Sequence, residues 1–274
     1  MGAEKNYSVL MSVYYKEKPE FLRQSMMSMF NQTVPTNDFV LVCDGELTDE
    51  LNAVIDEMQK HFENILNVVR LPQNVGLGKA LNDGIKHCKN DLVARMDSDD
   101  ISYPNRCEKE LEVFQKYNVD IVSGTVEEFT YSPDDTYSER ILPELHDEIA
   151  LFAKKRNPFN HPCVMYRREA VQNAGCYQDF YLLEDYYLWI RMLMTGSIGY
   201  NIQEPILWMR AGNGMYKRRS GIKYAKSQIK LLKFMKDNNF ISAGQRLKYS
   251  VVRVGSSVAP NFLRKFIYEK VLRK

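Results

Sequence analysis

Short apolar runs alternate with amphipathic segments along the first half of the chain. Four runs of this kind are "YSVLMSVYY" (7–15), "DFVLVCD" (38–44), "ILNVVRL" (65–71) and "DLVARMD" (91–97). Their nearly continuous hydrophobicity predicts strands that are buried on both faces. Each run is followed by a segment with apolar residues at three- and four-residue spacing, which predicts a helix. Four strand–helix units in a row predict a mostly parallel sheet of the α/β class, with helices on both faces.

The helix starts and the later segments add detail to this pattern. Pro19 suits the first turn of a helix, and Thr48 is a predicted N-cap followed by two acids. After residue 129 the regular alternation ends, and we expect a helix over 184–196 and a strand over 198–210. A further helix is predicted over 221–236, with its apolar side formed by Ile222, Ala225, Ile229, Leu232 and Met235.

The composition is that of an ordinary globular protein. Of 274 residues, 45% are hydrophobic and 26% are charged, which is typical of a protein with a packed core. No apolar run approaches the roughly 18 to 20 residues that span a bilayer, so we expect a cytoplasmic protein. The five cysteines are scattered and odd in number, which argues against disulfides or a zinc site and favours core positions.

The charge is divided unevenly along the chain. Residues 217–274 contain 16 basic and two acidic residues, whereas residues 1–216 contain 21 basic and 33 acidic residues. This division predicts two parts, a domain over 1–216 and a basic helical segment over 217–274.

Three carboxylates, Asp97, Asp99 and Asp100, follow the fourth predicted strand within four positions. Asp44 ends the second strand, and ligands of parallel sheets bind at the carboxyl ends of the strands. Clustered carboxylates are costly unless a cation compensates them, and Mg²⁺ or Mn²⁺ is the usual one. The alternative is an acidic turn that caps a helix near Pro104, with Asp100 or Ser102 as the cap.

A glycine-bearing turn, "LPQNVGLGKALNDGI" (71–85), precedes the third predicted helix. Backbone N–H groups and a lysine can approach an anionic ligand at such a turn, so Asn74, Gly76 and Lys79 are candidate residues for binding such a ligand. The segment matches neither the Walker loop nor G-x-G-x-x-G. The alternative is a plain turn before a surface helix.

Adjacent acids, Glu184 and Asp185, open an apolar helix rich in aromatic residues. Acids at this position are favoured by the helix dipole, so capping alone can explain them. The functional alternative is a general base beside a sugar-stacking pocket in which Tyr186 and Trp189 take part. His161, upstream, is a candidate for the acceptor side or the metal, or a structural histidine.

Together Asp44, "NVGLGKALN", "DSDD" and "LLEDYYLW" resemble the inverting glycosyltransferases of family 2, with the GT-A fold, of the kind that build bacterial capsular and exopolysaccharides. The resemblance runs from about Tyr7 to Arg210 in consistent order. It implies a Rossmann-like sheet, a nucleotide-sugar donor such as a UDP-sugar, Mn²⁺ or Mg²⁺, and inversion at the anomeric carbon. Residues 1–100 would then form the nucleotide-sugar half and 101–216 the acceptor half.

The resemblance also implies roles for individual residues. Asp44 would contact the uracil, Asp97 the ribose or the metal, and Asp99 would be the main metal ligand. Asp185 would be the general base, with Glu184 beside it to orient the acceptor or the base. The family's first strand usually ends in Pro-x-Tyr-Asn, which "SVYYKEKPEFL" matches only at Tyr14. A cation for the leaving diphosphate would come from Arg210 or from "KRR" (217–219), for which solvated surface is the alternative.

Two other enzyme classes and one non-enzymatic function fit the sequence less well. An aspartate-nucleophile phosphotransferase would need an Asp on the first strand, and a sugar nucleotidylyltransferase would need a glycine-rich first loop, and both are absent. The basic segment suggests a nucleic-acid binder as the non-enzymatic alternative.

The apolar side of the basic segment suits an anionic membrane surface better than nucleic acid. Its apolar positions are Leu247, Val251, Val254 and Val258, then Phe262, Phe266 and Ile267, with Pro260 between the two groups. Such a helix with basic flanks can lie in the membrane interface. We therefore expect no nucleic acid partner, and a peripheral position on the inner face of the cell membrane near a glycan or lipid-diphosphate-linked acceptor. The alternative is that 217–274 packs against the catalytic domain or a second subunit in a homo-oligomer.

Overall fold

A computed structural model describes residues 6–211 and 221–258. The strands are β1 (Tyr7–Val13), β2 (Asp38–Cys43), β3 (Leu66–Arg70), β4 (Leu92–Asp97), β5 (Ile101–Ser102), β6 (Ile121–Phe129), β7 (Ser138–Arg140), β8 (Met165–Arg167) and β9 (Gly199–Arg210). The helices are α1 (Pro19–Phe30), α2 (Asp49–His61), α3 (Leu77–Ile85), α4 (Arg106–Lys116), α5 (His146–Ala153), α6 (Arg168–Asn173), α7 (Glu184–Met194), α8 (Ile222–Asp237) and α9 (Ala243–Val258).

The described strands form one sheet in the order β3-β2-β1-β4-β8-β6-β9-β5, with β7 paired to β6. The first four are parallel, as the repeating strand–helix pattern predicts. The second half is mixed, because β8 runs antiparallel to both β4 and β6 whereas β9 runs parallel to β6. The order reverses at β1, so the carboxyl ends of β1 and β4 lie side by side, where a crevice for ligands is expected.

The predicted helix starts at Pro19 and Thr48 are confirmed, and Thr48 Oγ1 accepts a hydrogen bond from the backbone N–H of Leu51 at 3.3 Å. The predicted capping role of Asp100 or Ser102 is wrong. Helix α4 begins at Arg106 with Asn105 as its N-cap residue. The carboxylates of the "DSDD" turn therefore do not serve the helix that follows them.

The sheet divides the hydrophobic core into two layers. Leu92, Ala94 and Met96 of β4 belong to the layer on one face, and Val93 belongs to the layer on the other. Because side chains alternate across a strand, Arg95 and Asp97 share the face of Val93. Four of the five cysteines are buried and none is in a disulfide, as their scattered positions predict.

Helices α8 and α9 pack against α7 through a third hydrophobic cluster. Its buried members include Tyr186 and Ile190 of α7 and Leu231, Leu232 and Met235 of α8. The predicted apolar side of α8 is partly wrong, since Ile222 and Ile229 are exposed. The buried face instead includes Tyr224, Gln228 and Leu231, because it follows the contact with α7.

The far C-terminal predictions fall outside the described residues. These concern the "KRR" run at 217–219 and the positions from Pro260 onward. Among the residues that the structure describes, no helix combines the length and the hydrophobicity that a membrane span requires.

Candidate active site

The "DSDD" turn after β4 is braced by helix α1. Ser25 Oγ donates to the carbonyl oxygen of Asp97 at 2.6 Å, and Ser28 Oγ accepts from the backbone N–H of Ser102 at 3.0 Å. On the other side, Ser98 Oγ donates to Glu17 Oε2 at 2.6 Å. These bonds fix both ends of the turn, so its carboxylates have a defined geometry before any ligand binds.

Arg210, at the end of β9, closes the turn from the opposite side. Its backbone N–H donates to Asp100 Oδ1 at 2.7 Å, and its Nε donates to the carbonyl oxygen of Asp99 at 2.9 Å. The guanidinium carbon lies 3.8 Å from the ring centre of Phe21 and 4.6 Å from that of Phe129. The structure therefore brings Arg210 to the acidic turn, and its predicted role as a donor-binding cation stays a prediction.

The carboxylates of Asp97, Asp99 and Asp100 form a compact group of possible metal ligands. One oxygen from each lies within 4.8 Å of the others. Burial, together with the charges of Asp97 and Glu17, raises the pKa of Asp99 to about 7. Burial and the two neighbouring carboxylates raise the pKa of Asp100 well above its usual value. Such crowding is relieved by a divalent cation, so this all-oxygen donor set fits Mn²⁺ or Mg²⁺.

Arg95 is a buried cation beneath the acidic turn. Its Nη2 forms an ion pair with Asp97 Oδ1, while Nε and Nη1 make no hydrogen bond within the described residues. The same guanidinium offsets part of the rise in the pKa of Glu184, so its charge acts on helix α7 as well as on the acidic turn. A buried arginine is costly, so its position points to a charge requirement of the site.

Asp44 holds the glycine-bearing turn against the end of β2. Its two carboxylate oxygens accept from the backbone N–H groups of Val75 (2.7 Å) and Gly76 (3.1 Å). Asn74 Nδ2 returns a bond to the Asp44 carbonyl oxygen at 3.1 Å. Gly45 has a positive φ of 86°, and a β-carbon there would lie 2.5 Å from the backbone nitrogen of Asn74. Asp44, at the end of β2, and the glycine-bearing turn are thus held together by hydrogen bonds.

Asp185 is oriented by two hydrogen bonds at the start of α7. Oδ1 accepts from the backbone N–H of Tyr186 at 2.7 Å, and Oδ2 accepts from Asn157 Nδ2 at 2.7 Å. Burial and the adjacent Asp185 raise the pKa of Glu184 to about 7. Near neutral pH, Glu184 is therefore partly protonated and can donate a hydrogen bond.

Helix α3 and the loop before α7 bring these acids close to the glycine-bearing turn. A β-carbon on Gly78 would lie 3.7 Å from Cβ of Glu184. The side chain of Asn82 forms hydrogen bonds of 2.6 and 2.8 Å with the backbone of Tyr177, which fixes the loop to α3. Leu182 has a positive φ of 55°, and such strain is often found next to functional residues.

His161 lies on the same face of the sheet, in a group of aromatic rings. Its Nε2 is 2.9 Å from the hydroxyl of Tyr177, and its ring packs against Trp189. Desolvation and the charge of Arg95 hold the pKa of His161 well below its usual value. The ring is therefore neutral at pH 7 and is held as a structural element beneath the site.

Two predicted acceptor-side residues are corrected by the structure. Tyr186 is buried in the third cluster, and its hydroxyl donates to the Ala153 carbonyl oxygen at 2.6 Å. Trp189 is fully buried in the core among Phe159, Tyr177 and other rings. Neither ring is exposed for stacking on a sugar, because both point inward from α7. Tyr14 and Lys79 are exposed, as donor-binding side chains would be.

The model of the family described as "Glycosyl transferase family 2" matches residues 8–175, more than half of the chain. This chain belongs to glycosyl transferase family 2. The match covers β1 to α6 and includes Asp44, the glycine-bearing turn and the acidic turn. Family membership decides against the phosphotransferase and nucleotidylyltransferase alternatives.

Relatives of similar length support the assignment. A UDP-Gal:alpha-D-GlcNAc-diphosphoundecaprenol beta-1,3-galactosyltransferase of Escherichia coli is 39% identical, with 98% of this chain and 97% of the relative covered. The amylovoran biosynthesis glycosyltransferase AmsE of Erwinia amylovora is 38% identical over 96% of this chain and 98% of its own. This glycosyltransferase is therefore similar along nearly its whole length to bacterial enzymes of lipid-linked glycan and exopolysaccharide synthesis.

A solved structure confirms the predicted GT-A fold. The crystal structure of S. aureus TarS 1-349 in complex with UDP-GlcNAc superposes with a TM-score of 0.71 at 16% identity, and the match covers 97% of this chain and 76% of the TarS fragment. At this identity the likeness concerns the fold alone.

Three site residues of this glycosyltransferase escaped the sequence analysis. Arg95 had a signal, a single charge inside an otherwise apolar strand, two positions before Asp97 on the same face. Asn157 and Glu17 had none, because their contacts with Asp185 and Ser98 span 28 and 81 positions.

Proposed function

We propose that this chain transfers a sugar from a nucleotide-sugar donor, a UDP-sugar, to a sugar linked to a lipid diphosphate, with inversion at the anomeric carbon. Support comes from two acidic groups at one end of the sheet, the turn after β4 and the Glu184–Asp185 pair of α7. The buried Arg95 guanidinium, which pairs with Asp97 and offsets part of the rise in the pKa of Glu184, is the observation that links them.

In the proposed reaction, Asp185 accepts the proton of the acceptor hydroxyl. The oxygen of that hydroxyl forms the new bond to the anomeric carbon as the bond between this carbon and the donor's β-phosphate oxygen breaks. The electron pair of the broken bond leaves with the nucleoside diphosphate. The hydrogen bonds from Asn157 and Tyr186 orient the carboxylate of Asp185, which is the geometric requirement for a general base. Glu184, when protonated, is a hydrogen-bond donor for the acceptor.

On the donor side we assign Asp44, Asn74, Gly76, Lys79 and Tyr14 to the nucleotide. Asp99 and Asp97 would hold Mn²⁺ or Mg²⁺. When bound, this ion would neutralise charge on the departing diphosphate. Arg210 supplies a fixed positive charge beside the same turn, and preorganised charges of this kind stabilise developing negative charge.

A panel of nucleotide sugars tests the proposed reaction. We expect slow release of nucleoside diphosphate from one UDP-sugar in Mn²⁺ or Mg²⁺, even without an acceptor, and no release in excess EDTA. The measurement is coupled detection of nucleoside diphosphate across UDP-galactose, UDP-glucose, UDP-N-acetylglucosamine and GDP-mannose. Failure to release it from any of these donors, or equal release in EDTA, contradicts the proposal.

A peripheral position on the inner face of the membrane is proposed from the C-terminal helices. On α9, Leu247 and Val251 are 69% and 68% exposed, and Arg246 and Lys248 flank them. Interfacial helices combine such an apolar stripe with basic flanks, and each basic residue near anionic lipids contributes about 1 kcal/mol. The acceptor's lipid would then lie in the same membrane.

Vesicle binding tests the membrane proposal. We expect the protein to co-sediment with vesicles containing phosphatidylglycerol, and added salt to weaken this binding steeply because the attraction is partly ionic. The double substitution Leu247→Asp and Val251→Asp should reduce binding by at least about tenfold, since it adds charge to an exposed stripe without removing core volume.

The matched control is Ile141→Asp, which changes another exposed apolar residue, 57% exposed, outside the C-terminal helices. It should bind vesicles like the wild type. Point substitutions are preferable to a truncation because Arg253 of α9 donates to the Tyr186 hydroxyl at 2.8 Å, next to Asp185. Equal binding to neutral and anionic vesicles, or binding to neither, would mean that α9 serves packing or oligomer contacts.

A further inference from the structure

Three consecutive basic residues lie directly beside the residue that orients Asp185. Lys154, Lys155 and Arg156 follow the end of α5, and the next residue is Asn157, whose Nδ2 donates to Asp185 Oδ2 at 2.7 Å. We call residues 154–156 the basic run. Consecutive Cα atoms are about 3.8 Å apart, so the basic run begins one residue from the contact with the proposed base.

The basic run is positively charged, whereas residues 1–216 as a whole carry a net negative charge. Residues 1–216 contain 33 acidic and 21 basic residues, and this run is the one place among them with three basic residues in a row. Basic residues at the end of a helix are favoured by its dipole, and Lys116 at the end of α4 is an example. The dipole of α5 alone could therefore explain why basic residues follow this helix, and a second observation is needed to indicate a ligand.

Helix α9 brings another cation to the same position. Arg253 Nη2 donates to the carbonyl oxygen of Lys155 at 2.6 Å and to the Tyr186 hydroxyl at 2.8 Å, and Nη1 donates to Gln228 at 3.1 Å. Arg156 also acts on the Tyr186 hydroxyl, whose pKa it lowers in part. Positive charge from two distant parts of the chain thus converges beside Tyr186, the neighbour of Asp185.

The lysines of the basic run are directed to solvent rather than to acids. Lys155 is exposed and Lys154 is half-buried, and neither forms an ion pair within the residues that the structure describes. The acids of α5 itself, Asp147 and Glu148, lie in its first turn, at the other end of the helix. The two lysines are therefore available for an anionic ligand.

We propose that the basic run binds the diphosphate of the acceptor, which deepens and rests on the proposed function. The acceptor sugar has its reacting hydroxyl at Asp185 and its diphosphate on another carbon of the same ring. The diphosphate would then lie about one sugar length from the base, and the basic run is joined directly to Asn157, which contacts that base. Arginine binds phosphate with a planar fork and lysine with a point charge. Because Arg253 ties the backbone of the basic run to α9, this subsite would lie where the C-terminal helices meet the segment that orients Asp185.

Binding of hexyl diphosphate to the metal-free protein tests this subsite. The probe is short enough to stay monomeric, and EDTA prevents its capture through a metal at the acidic turn. In isothermal titration calorimetry, we expect the wild type to bind hexyl diphosphate more tightly than hexyl monophosphate, and not to bind hexanol. The double substitution Lys155→Gln and Arg156→Gln should weaken binding of hexyl diphosphate by about tenfold or more, the scale of a charge-assisted hydrogen bond.

Two controls separate the subsite from general charge and from folding. Lys116→Gln removes a basic residue from the end of a different helix and should leave the affinity for hexyl diphosphate unchanged. Arg156→Lys keeps the charge and should retain most of the affinity that Arg156→Gln loses. Thermal unfolding of each variant shows whether its fold is intact. If the double variant is unstable, loss of affinity in Arg156→Gln but not in Arg156→Lys still supports the proposal, and equal affinity in both contradicts it.

The outcomes distinguish this inference from the proposed function. If the double variant binds hexyl diphosphate like the wild type, the subsite is wrong even when the wild type releases nucleoside diphosphate from its donor. If the double variant still binds hexyl diphosphate but no longer binds phosphatidylglycerol vesicles, the basic run is a contact for lipid headgroups. That result also overturns the subsite. If the wild type releases nucleoside diphosphate from no donor, the proposed function fails whatever the calorimetry gives.

Discussion

Replacing Asp185 by Asn should lower the rate of sugar transfer by about 10² or more, because the amide keeps the shape of the side chain but cannot accept a proton. The bonds from Asn157 and the Tyr186 backbone end on the two carboxylate oxygens, so one of them must be lost or rearranged when an NH₂ group replaces an oxygen. Affinity for the donor should barely change. The measurement is kcat with saturating donor and acceptor, together with the Kd of the nucleotide sugar.

Glu184→Gln is the matched control for this substitution. The pKa of Glu184 is raised to about 7, so its carboxyl group is mostly neutral below pH 7 and ionises above it. Glutamine resembles the neutral form, and we expect Glu184→Gln to differ least from the wild type near pH 6. The difference should grow as the pH rises through 7. If Glu184→Gln lost the activity that Asp185→Asn retained, the roles of the two acids would have to be exchanged.

The parallel half of the sheet was predictable because its signals are local. Strands β1 to β4 are apolar runs followed by amphipathic helices, and each unit can be recognised without knowing its neighbours. The mixed half was not predicted in detail. Strand β8 has three residues and pairs with β4 and β6, far away in sequence, and local periodicity does not specify such pairing.

Some residues of the candidate site also had a local sequence signal, and others did not. Asp44, Asp97 and Glu184 could be selected from the sequence as candidates because each lies at the end of a strand or the start of a helix, where ligands of parallel sheets bind. Trp189 was misjudged because an aromatic residue on an apolar helix has the same pattern whether it faces the core or a ligand. Arg95 was overlooked inside a strand whose hydrophobicity was its main signal, although a buried charge needs a compensating partner.

The C-terminal segment shows one of the two alternatives and leaves room for the other. Packing against the catalytic domain, the alternative to membrane contact, describes α8, whose Leu231 and Leu232 are fully buried with α7. The outer side of α9 remains apolar and exposed at Leu247 and Val251. The two ideas are therefore compatible, because one face of the helical pair meets the enzyme and another is open to a membrane.

Asp99→Ala should abolish transfer in Mn²⁺ or Mg²⁺ and prevent metal binding, while the fold stays intact. Three carboxylate oxygens within 4.8 Å suit a small divalent ion, and removal of one leaves a set with too few charged ligands. The turn should keep its shape, because the bonds that Ser25 and Arg210 make near Asp99 end on backbone carbonyl oxygens, which alanine retains. Loss of activity would therefore report a lost ligand rather than a collapsed turn.

A binding measurement makes this prediction independent of the reaction. A ligand that binds only the folded state raises the melting temperature, so Mn²⁺ should raise the Tm of the wild type and not that of Asp99→Ala. Asp56→Ala, which removes an exposed acid from α2, should respond to Mn²⁺ like the wild type. An equal rise in Tm for Asp99→Ala and the wild type, or full transfer activity in excess EDTA, would mean that the acidic turn works without a metal. Arg95 and Arg210 would then be the cations that offset its charge, since both already contact it.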